Sequence, residues 1–156
     1  MPPTHINYAD ASVSDAEGIA ALVQDGCERS YSDVLRCLRH RRRASVVATA
    51  GSMLVGVALG TVSGEDPDTF LLTYIGTAAG VRRRGVGRHM LQQLREKLQQ
   101  RRCTQIEAVV GDTNLLTQLF FRRCGFKAVR TCPDYFGKDC GGIVFNAPIS
   151  CDGSVK

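Results

Sequence analysis

Val81-Arg82-Arg83-Arg84-Gly85-Val86-Gly87-Arg88-His89-Met90-Leu91 sits directly after an apolar run and directly before an amphipathic helical pattern. Gly85 and Gly87 let the backbone come close to a ligand, and a helix start just behind them offers unpaired N–H donors and a partial positive charge. Arg82, Arg83, Arg84 and Arg88 bracket the glycines, so field and donor geometry both favour a pyrophosphate or several phosphates. The stretch predicts a nucleotide-like anion at a loop between a strand and a helix. Two common alternatives fail on residue type. A Walker loop needs Gly-x-x-x-x-Gly-Lys-Ser/Thr, and the chain has no such run. The dinucleotide fingerprint needs a third glycine where this chain has Met90.

The pattern Arg-x-x-Gly-x-Gly, here Arg82 to Gly87, resembles the acyl-CoA-binding loop of the GNAT N-acetyltransferase superfamily, where the loop cradles the coenzyme A pyrophosphate. A second motif, Asn114-Leu115-Leu116-Thr117-Gln118-Leu119-Phe120-Phe121-Arg122-Arg123-Cys124-Gly125-Phe126, follows a β-like run at the distance one helix and one strand require. It resembles the superfamily's second signature, an Asn that opens a helix beside the coenzyme arm and a Gly-Phe pair that ends it. Asn114 and Gly125 also serve as ordinary caps, because Asn is a good N-cap and Gly adopts the left-handed conformation cheaply. The resemblance implies acetyl-CoA as cofactor. It gives Arg82, Arg83, Arg84, Gly85, Val86, Gly87 and Arg88 to the pyrophosphate, and Asn114 and Phe121 to the pantetheine arm. Backbone groups of Ile75, Gly76 and Thr77 would hold the arm and polarise the thioester carbonyl, donors already aimed at the charge that develops.

The chain departs from the family pattern where protons move. A Tyr near the sulfur is common four residues or so before the Gly-Phe pair, and this chain has Phe121, which cannot donate a proton. Many relatives carry Glu or His on the fourth strand, on the face toward the acceptor, where alternation places Leu71 and Thr73. Two catalytic candidates are left. Glu107 shares a strand face with Val109, and is equally readable as a solvent-facing strand residue. Tyr135 lies in Arg130-Thr131-Cys132-Pro133-Asp134-Tyr135-Phe136, which resembles the Arg-x-x-Tyr-Tyr acceptor loop of ribosomal-protein and N-terminal peptide acetyltransferases. Asp112 reads as a turn residue before the helix.

The 156 residues carry one uninterrupted pattern of elements, which predicts a single domain over 1–150 and a loose tail over 151–156. Hydrophobic and charged fractions of 44% and 22% are those of an ordinary globular chain, and no apolar run approaches the ~20 residues of a membrane span. Met1-Pro2-Pro3-Thr4-His5 lacks the charged start and apolar stretch of a secretory signal, so a cytoplasmic location is expected. Cys27, Cys37, Cys103, Cys124, Cys132, Cys140 and Cys151 form no C-x-x-C pair, and His5, His40 and His89 are scattered, so no metal site is expected and the thiols read as reduced. The net charge of +5 calls for anionic partners. Coenzyme A accounts for the loop arginines, while Arg39-His40-Arg41-Arg42-Arg43 reads as a solvated helix end whose cations suit the dipole. No aromatic platform accompanies that run, so a nucleic-acid partner is not expected.

Along the chain, His5 to Ala9 reads as a strand, Ser14-Asp15 as the start of a helix carrying Ile19, Leu22 and Val23, and Ser32-Asp33 as the start of a second helix reaching about Arg41. Asp25-Gly26 breaks the first of these. Ser45 to Ala50 and Met53 to Val62 form a hairpin over Gly51-Ser52, followed by a strand from Thr69 to about Thr77. Met90, Leu91, Leu94 and Leu98 give the next helix an apolar face, after which come a strand over Thr104 to Val110, a helix over Leu115 to about Arg123, and a last strand pair ending in Ile143 to Ile149. The expected class is α/β (α+β mixed sheet), the GNAT acyltransferase fold with about seven strands flanked by about four helices. The expected function is transfer of acetyl from acetyl-CoA to a primary amine by direct attack, the acceptor a peptide or protein amine, in a monomer or homodimer. The alternatives are a small amine such as a polyamine, amino acid or aminoglycoside, for which Asp25, Glu28 and Asp33 could supply carboxylates, or a catalytically silent coenzyme A binder.

Overall fold

The computed structural model describes residues 5–23 and 31–149. Strand β1 (Asn7–Ala9) leads through a 3-10 turn (Val13–Asp15) into α1 (Ala16–Leu22), then α2 (Tyr31–Leu38), β2 (Arg43–Ala50), β3 (Met53–Val62) and β4 (Thr69–Thr77). A second 3-10 turn (Ala79–Val81) precedes α3 (Val86–Gln100), β5 (Gln105–Gly111), α4 (Leu115–Arg123), β6 (Lys127–Cys132) and β7 (Gly142–Pro148). The strands make one sheet in the order β1-β2-β3-β4-β5-β7-β6. Only β4 and β5 run parallel; the other neighbours are antiparallel. This is the expected mixed sheet with helices on both faces. Asp25-Gly26, Cys27, Glu28, Cys151 and the expected tail lie outside the described residues.

The local causes are mostly those read from the sequence. Met90, Leu91, Leu94 and Leu98 are all buried, so α3 lays one face on the sheet, each side chain contributing roughly 1.5–3 kcal/mol of apolar burial. Asn114 caps α4 by accepting from the Thr117 amide at 3.3 Å, and Gly125, with φ 91°, ends it. Gly51 takes φ 64° in the two-residue β2–β3 turn that joins the Ala50↔Met53 pair. Ser12 opens the 3-10 turn, its amide donating to Asp15 Oδ2 at 2.8 Å, and Asp15 is the N-cap of α1, in line with the expected helix start. One boundary differs. The second helix stops at Leu38, not near Arg41, because His40 Nδ1 accepts from the Arg42 amide at 3.0 Å and Arg43 is already paired with Thr61. The arginine run is thus a turn and a strand start, not a helix end.

Two cores flank the sheet. One gathers α3 and α4 over Phe70, Leu72, Ile106, Phe145 and Phe121; the other gathers α1 and α2 over Val47, Val57, Leu59 and Tyr74. Strict alternation would keep Phe70, Leu72 and Tyr74 on one face. The β3–β4 register breaks that rule: Gly60 pairs with Leu72 but Leu59 pairs with Tyr74, leaving Thr73 as an extra residue, a β-bulge. Tyr74 consequently crosses to the α1–α2 side, the face on which the alternation argument had placed Thr73. The bulged backbone presses on β3 so closely that a Cβ at Gly60 would stand 2.0 Å from the Leu71 carbonyl oxygen. Only glycine fits there without moving backbone. Gly60→Ala is expected to cost about 1–3 kcal/mol, as overpacking does, read as a lower urea midpoint with an unchanged slope.

Candidate active site

Parallel pairing between β4 and β5 runs from Thr69↔Gln105 to Leu72↔Ala108 and stops at the bulge. Beyond it, Thr73 to Thr77 stay bonded to β3 while Val109 to Gly111 stay bonded to β7, and the two strands part. Alternate backbone groups of Ile75, Gly76 and Thr77 therefore face the gap rather than a neighbouring strand. The gap holds a cavity of about 80 Å³, floored by Phe121 and edged by Thr73, Tyr74, Thr113, Asn114, Thr117 and Phe136. Val23 covers it from the first helix pair. The close seat is permitted by Gly76, where a Cβ would stand 3.0 Å from the Leu22 carbonyl oxygen.

The glycine loop closes the same end of the sheet. Gly85, at φ 79°, is the N-cap of α3, and Arg83 just before it holds φ 68°, a left-handed conformation uncommon outside glycine. Val86, Gly87 and Arg88 form the first helical turn, whose amides have no intrahelical carbonyl to meet. Gly87 is also where α3 and α4 touch, since a Cβ there would lie 3.0 Å from the Phe120 ring. The loop arginines diverge. Arg84 lies near enough to Tyr8 of β1 to oppose the burial that raises that phenol's pKa, and Arg88 hydrogen-bonds Cys124 at the far end of α4.

The two catalytic candidates from the sequence lie outside the cavity lining. Glu107 is held by Arg130, Nη2 to Oε1 at 3.3 Å, on a strand position paired with Asn146 and Leu71. Tyr135 is 54% exposed and stacks edge-on against Phe136, ring centres 4.9 Å apart; Phe136, one residue on, is the ring that reaches the cavity. Phe121 does line the cavity, but mainly as core, 1% exposed among Phe120, Phe126 and Phe145. Among the described residues lining the cavity, Tyr74 alone carries an ionisable side chain. Sequence reasoning missed it because the bulge that turns it is a register event between two strands. Gly60, an unexplained glycine inside an apolar run, was the one available signal.

The acetyltransferase (GNAT) family model matches residues 15–126, and the chain belongs to that family, whose enzymes use acetyl-CoA. A curated relative, the L-2,4-diaminobutyric acid acetyltransferase of Virgibacillus pantothenticus, is 33% identical over 92 residues, 59% of this chain and 57% of the relative. The match thus spans little more than half of that relative's length. Among solved structures, the ribosomal-protein-S18-alanine N-acetyltransferase of Escherichia coli superposes with a TM-score of 0.79 at 18% identity, covering 97% of this chain and 99% of that one. The PaiA N-acetyltransferase of Thermoplasma acidophilum, solved with coenzyme A, gives 0.75 at 14% identity over 93% and 99%. At such identities these likenesses concern the fold.

No cysteine lines the cavity among the described residues. Burial pushes the Cys37 thiol up to about 11, against the opposing pull of Arg43, and raises Cys124 and Cys103 as well. A thiol nucleophile needs the reverse shift. Iodoacetamide at about pH 8 is expected to modify exposed Cys140 at least ~10-fold faster than Cys37, whose reaction should accelerate until the pH passes about 11; mass spectrometry of timed digests checks this.

Proposed function

We propose that the chain is an acetyl-CoA-dependent N-acetyltransferase acting on a primary amine. The observation that carries the reading is the unzipped end of β4 and β5, which opens onto the glycine loop. The residues present fit the cofactor. Gly85 and Gly87 leave the loop backbone bare, and the first-turn amides of Val86, Gly87 and Arg88, with Arg82, Arg83 and Arg84 beside them, would hold the pyrophosphate. The gap-facing backbone of Ile75, Gly76 and Thr77 would hold the arm as a strand would, with Asn114 and the Phe121 ring on its other side. Bound acetyl-CoA supplies an acyl thioester that a neutral amine attacks directly.

The chain's own groups then orient and move protons. Fixed N–H donors on β4 meet the charge on the acyl oxygen without reorganising, an effect worth about 3–4 kcal/mol per donor in comparable sites. With Phe121 unable to donate, Tyr74 Oη is assigned the proton handed to the departing sulfur. The phenolate left behind takes up the proton that the attacking amine sheds, so the transfer returns Tyr74 to its starting state. Tyr135 on the exposed loop is assigned to contact with the acceptor, and Glu107 to holding Arg130 at the rim. The aromatic Tyr135–Phe136 pair beside the cavity supports a peptide-borne amine as acceptor. A second reading, a short diamino acid as acceptor, rests on the 33% identical relative, a diaminobutyric acid acetyltransferase.

Thiol release with acetyl-CoA should be seen with peptides bearing a free α-amine before it is seen with spermidine; preference for 2,4-diaminobutyrate would select the second reading, and release with none of these would remove the enzyme. Arg82→Glu/Arg83→Glu should abolish the rise in thermal midpoint that acetyl-CoA produces while leaving the midpoint of the free protein in place, and Tyr74→Phe should keep that rise and lower kcat about 10²-fold. A kcat within about twofold of wild type would take the proton-transfer role from Tyr74.

A further inference from the structure

The end of the sheet opposite the cavity gathers the arginines that the coenzyme does not account for. Arg43 starts β2 and pairs with Thr61, while Thr69 of β4 pairs with Gln105 of β5, so the α2–β2 turn, the β3–β4 loop and the α3–β5 turn all meet there. Two runs distant in sequence are thereby joined. The Arg101 guanidinium donates to the Arg43 carbonyl oxygen, and burial raises the Cys103 thiol while Arg101 and Arg42 together pull it back. Arg39, Arg41, Arg42, Arg101 and Arg102 are exposed, and none of them makes an ion pair among the described residues. Glu65, Asp66 and Asp68 share this end, but the Asp66 carboxylate is occupied by the Asp68 amide at 3.0 Å and the Thr69 hydroxyl at 2.8 Å. The five exposed guanidinium groups still outnumber these three carboxylates across the patch.

One arginine is placed against local preference. Arg102 follows the end of α3 with φ 64°, the position where glycine costs least. The same substitution of arginine for the cheaper glycine occurs at Arg83 in the pyrophosphate loop. The patch also lacks apolar anchors: the exposed large hydrophobic side chains are Val13, Tyr31, Met53, Leu115, Leu116, Leu119, Val129 and Tyr135, none of them in its three loops. A protein interface or a membrane would ask for such anchors, and single strands would ask for aromatic rings on which bases stack. What remains is recognition of phosphate charge along a backbone.

We propose, against the expectation drawn from the Arg39–Arg43 run alone, that this end of the sheet docks the sugar–phosphate backbone of a double-stranded nucleic acid, without base specificity, through Arg39, Arg41, Arg42, Arg101 and Arg102. The site is separate from the acyl-transfer cleft, so a duplex and acetyl-CoA bind together.

Fluorescence anisotropy with a short labelled DNA duplex of mixed sequence, titrated from about 50 to 200 mM salt, tests this. Affinity should fall with a log–log slope of about −0.9 per phosphate contacted, roughly −3 or steeper for the wild type, and be the same for unrelated sequences. Arg41→Ala/Arg42→Ala should flatten the slope by about 2 and Arg102→Gly by about 1. Arg102→Gly should at the same time leave the thermal midpoint unchanged or raised, which separates lost binding from lost folding. Saturating acetyl-CoA should change nothing. The proposal fails if the duplex does not bind at about 50 mM salt, or if these variants keep the wild-type slope while Arg82→Ala/Arg84→Ala loses it. It also fails if polyglutamate or inorganic polyphosphate displaces the duplex as well as unlabelled duplex does at matched charge.

Discussion

Hydrogen bonding between β4 and β5 ceases at Leu72↔Ala108, and a sheet opened in its middle must satisfy the exposed backbone with something other than a strand. The bulge at Thr73 is the cause, and Gly60 is what lets the bulge fit. From that one constraint follow the cavity, the backbone donors of Ile75 to Thr77 that face it, and the passage of Tyr74 to the side of α1 and α2. The two halves of the sheet stay anchored independently, β4 on β3 and β5 on β7, so the opening costs no ladder bonds elsewhere. An extended arm laid between them completes the pairing that the chain itself withholds.

Charge is arranged around the same geometry. Arginines flank the glycine loop at the open end, where first-turn amides add donors, and a second set gathers at the closed end, where the Arg101 guanidinium reaches the Arg43 carbonyl. The two sets sit at opposite ends of strands roughly seven to nine residues long, some 25 Å apart at ~3.3 Å per residue, beyond two Debye lengths at physiological salt. Each therefore acts as its own field rather than as one basic surface.

The legibility of the chain follows the range of the interactions involved. The α3 face, the Asn114 cap, the Gly125 stop and the glycine loop could be read directly, because helical period and capping are local properties of a few consecutive residues. The second helix ran three residues too far in that reading, since the turn made by His40 and the Arg42 amide competes with helix only once Arg43 is drawn into the ladder with Thr61. Leu115, Leu116 and Leu119 stand exposed, because α4 turns Phe121, with Phe120 and Cys124 beside it, toward the core.

Glu107 and Tyr135 show the same division at the site. Their residue types and neighbours made them candidates, but the carboxylate is taken by Arg130, 23 residues away, and the loop presents Phe136 rather than Tyr135 to the cavity. Family, element order and glycine loop were legible in the residues alone, each written in short runs whose physics is local. Which ionisable group enters the cavity, and that Arg42 and Arg101 share one surface, was decided only by tertiary structure. A single-residue slip in strand register reverses every side chain beyond it, and no short window of sequence records where the slip occurs.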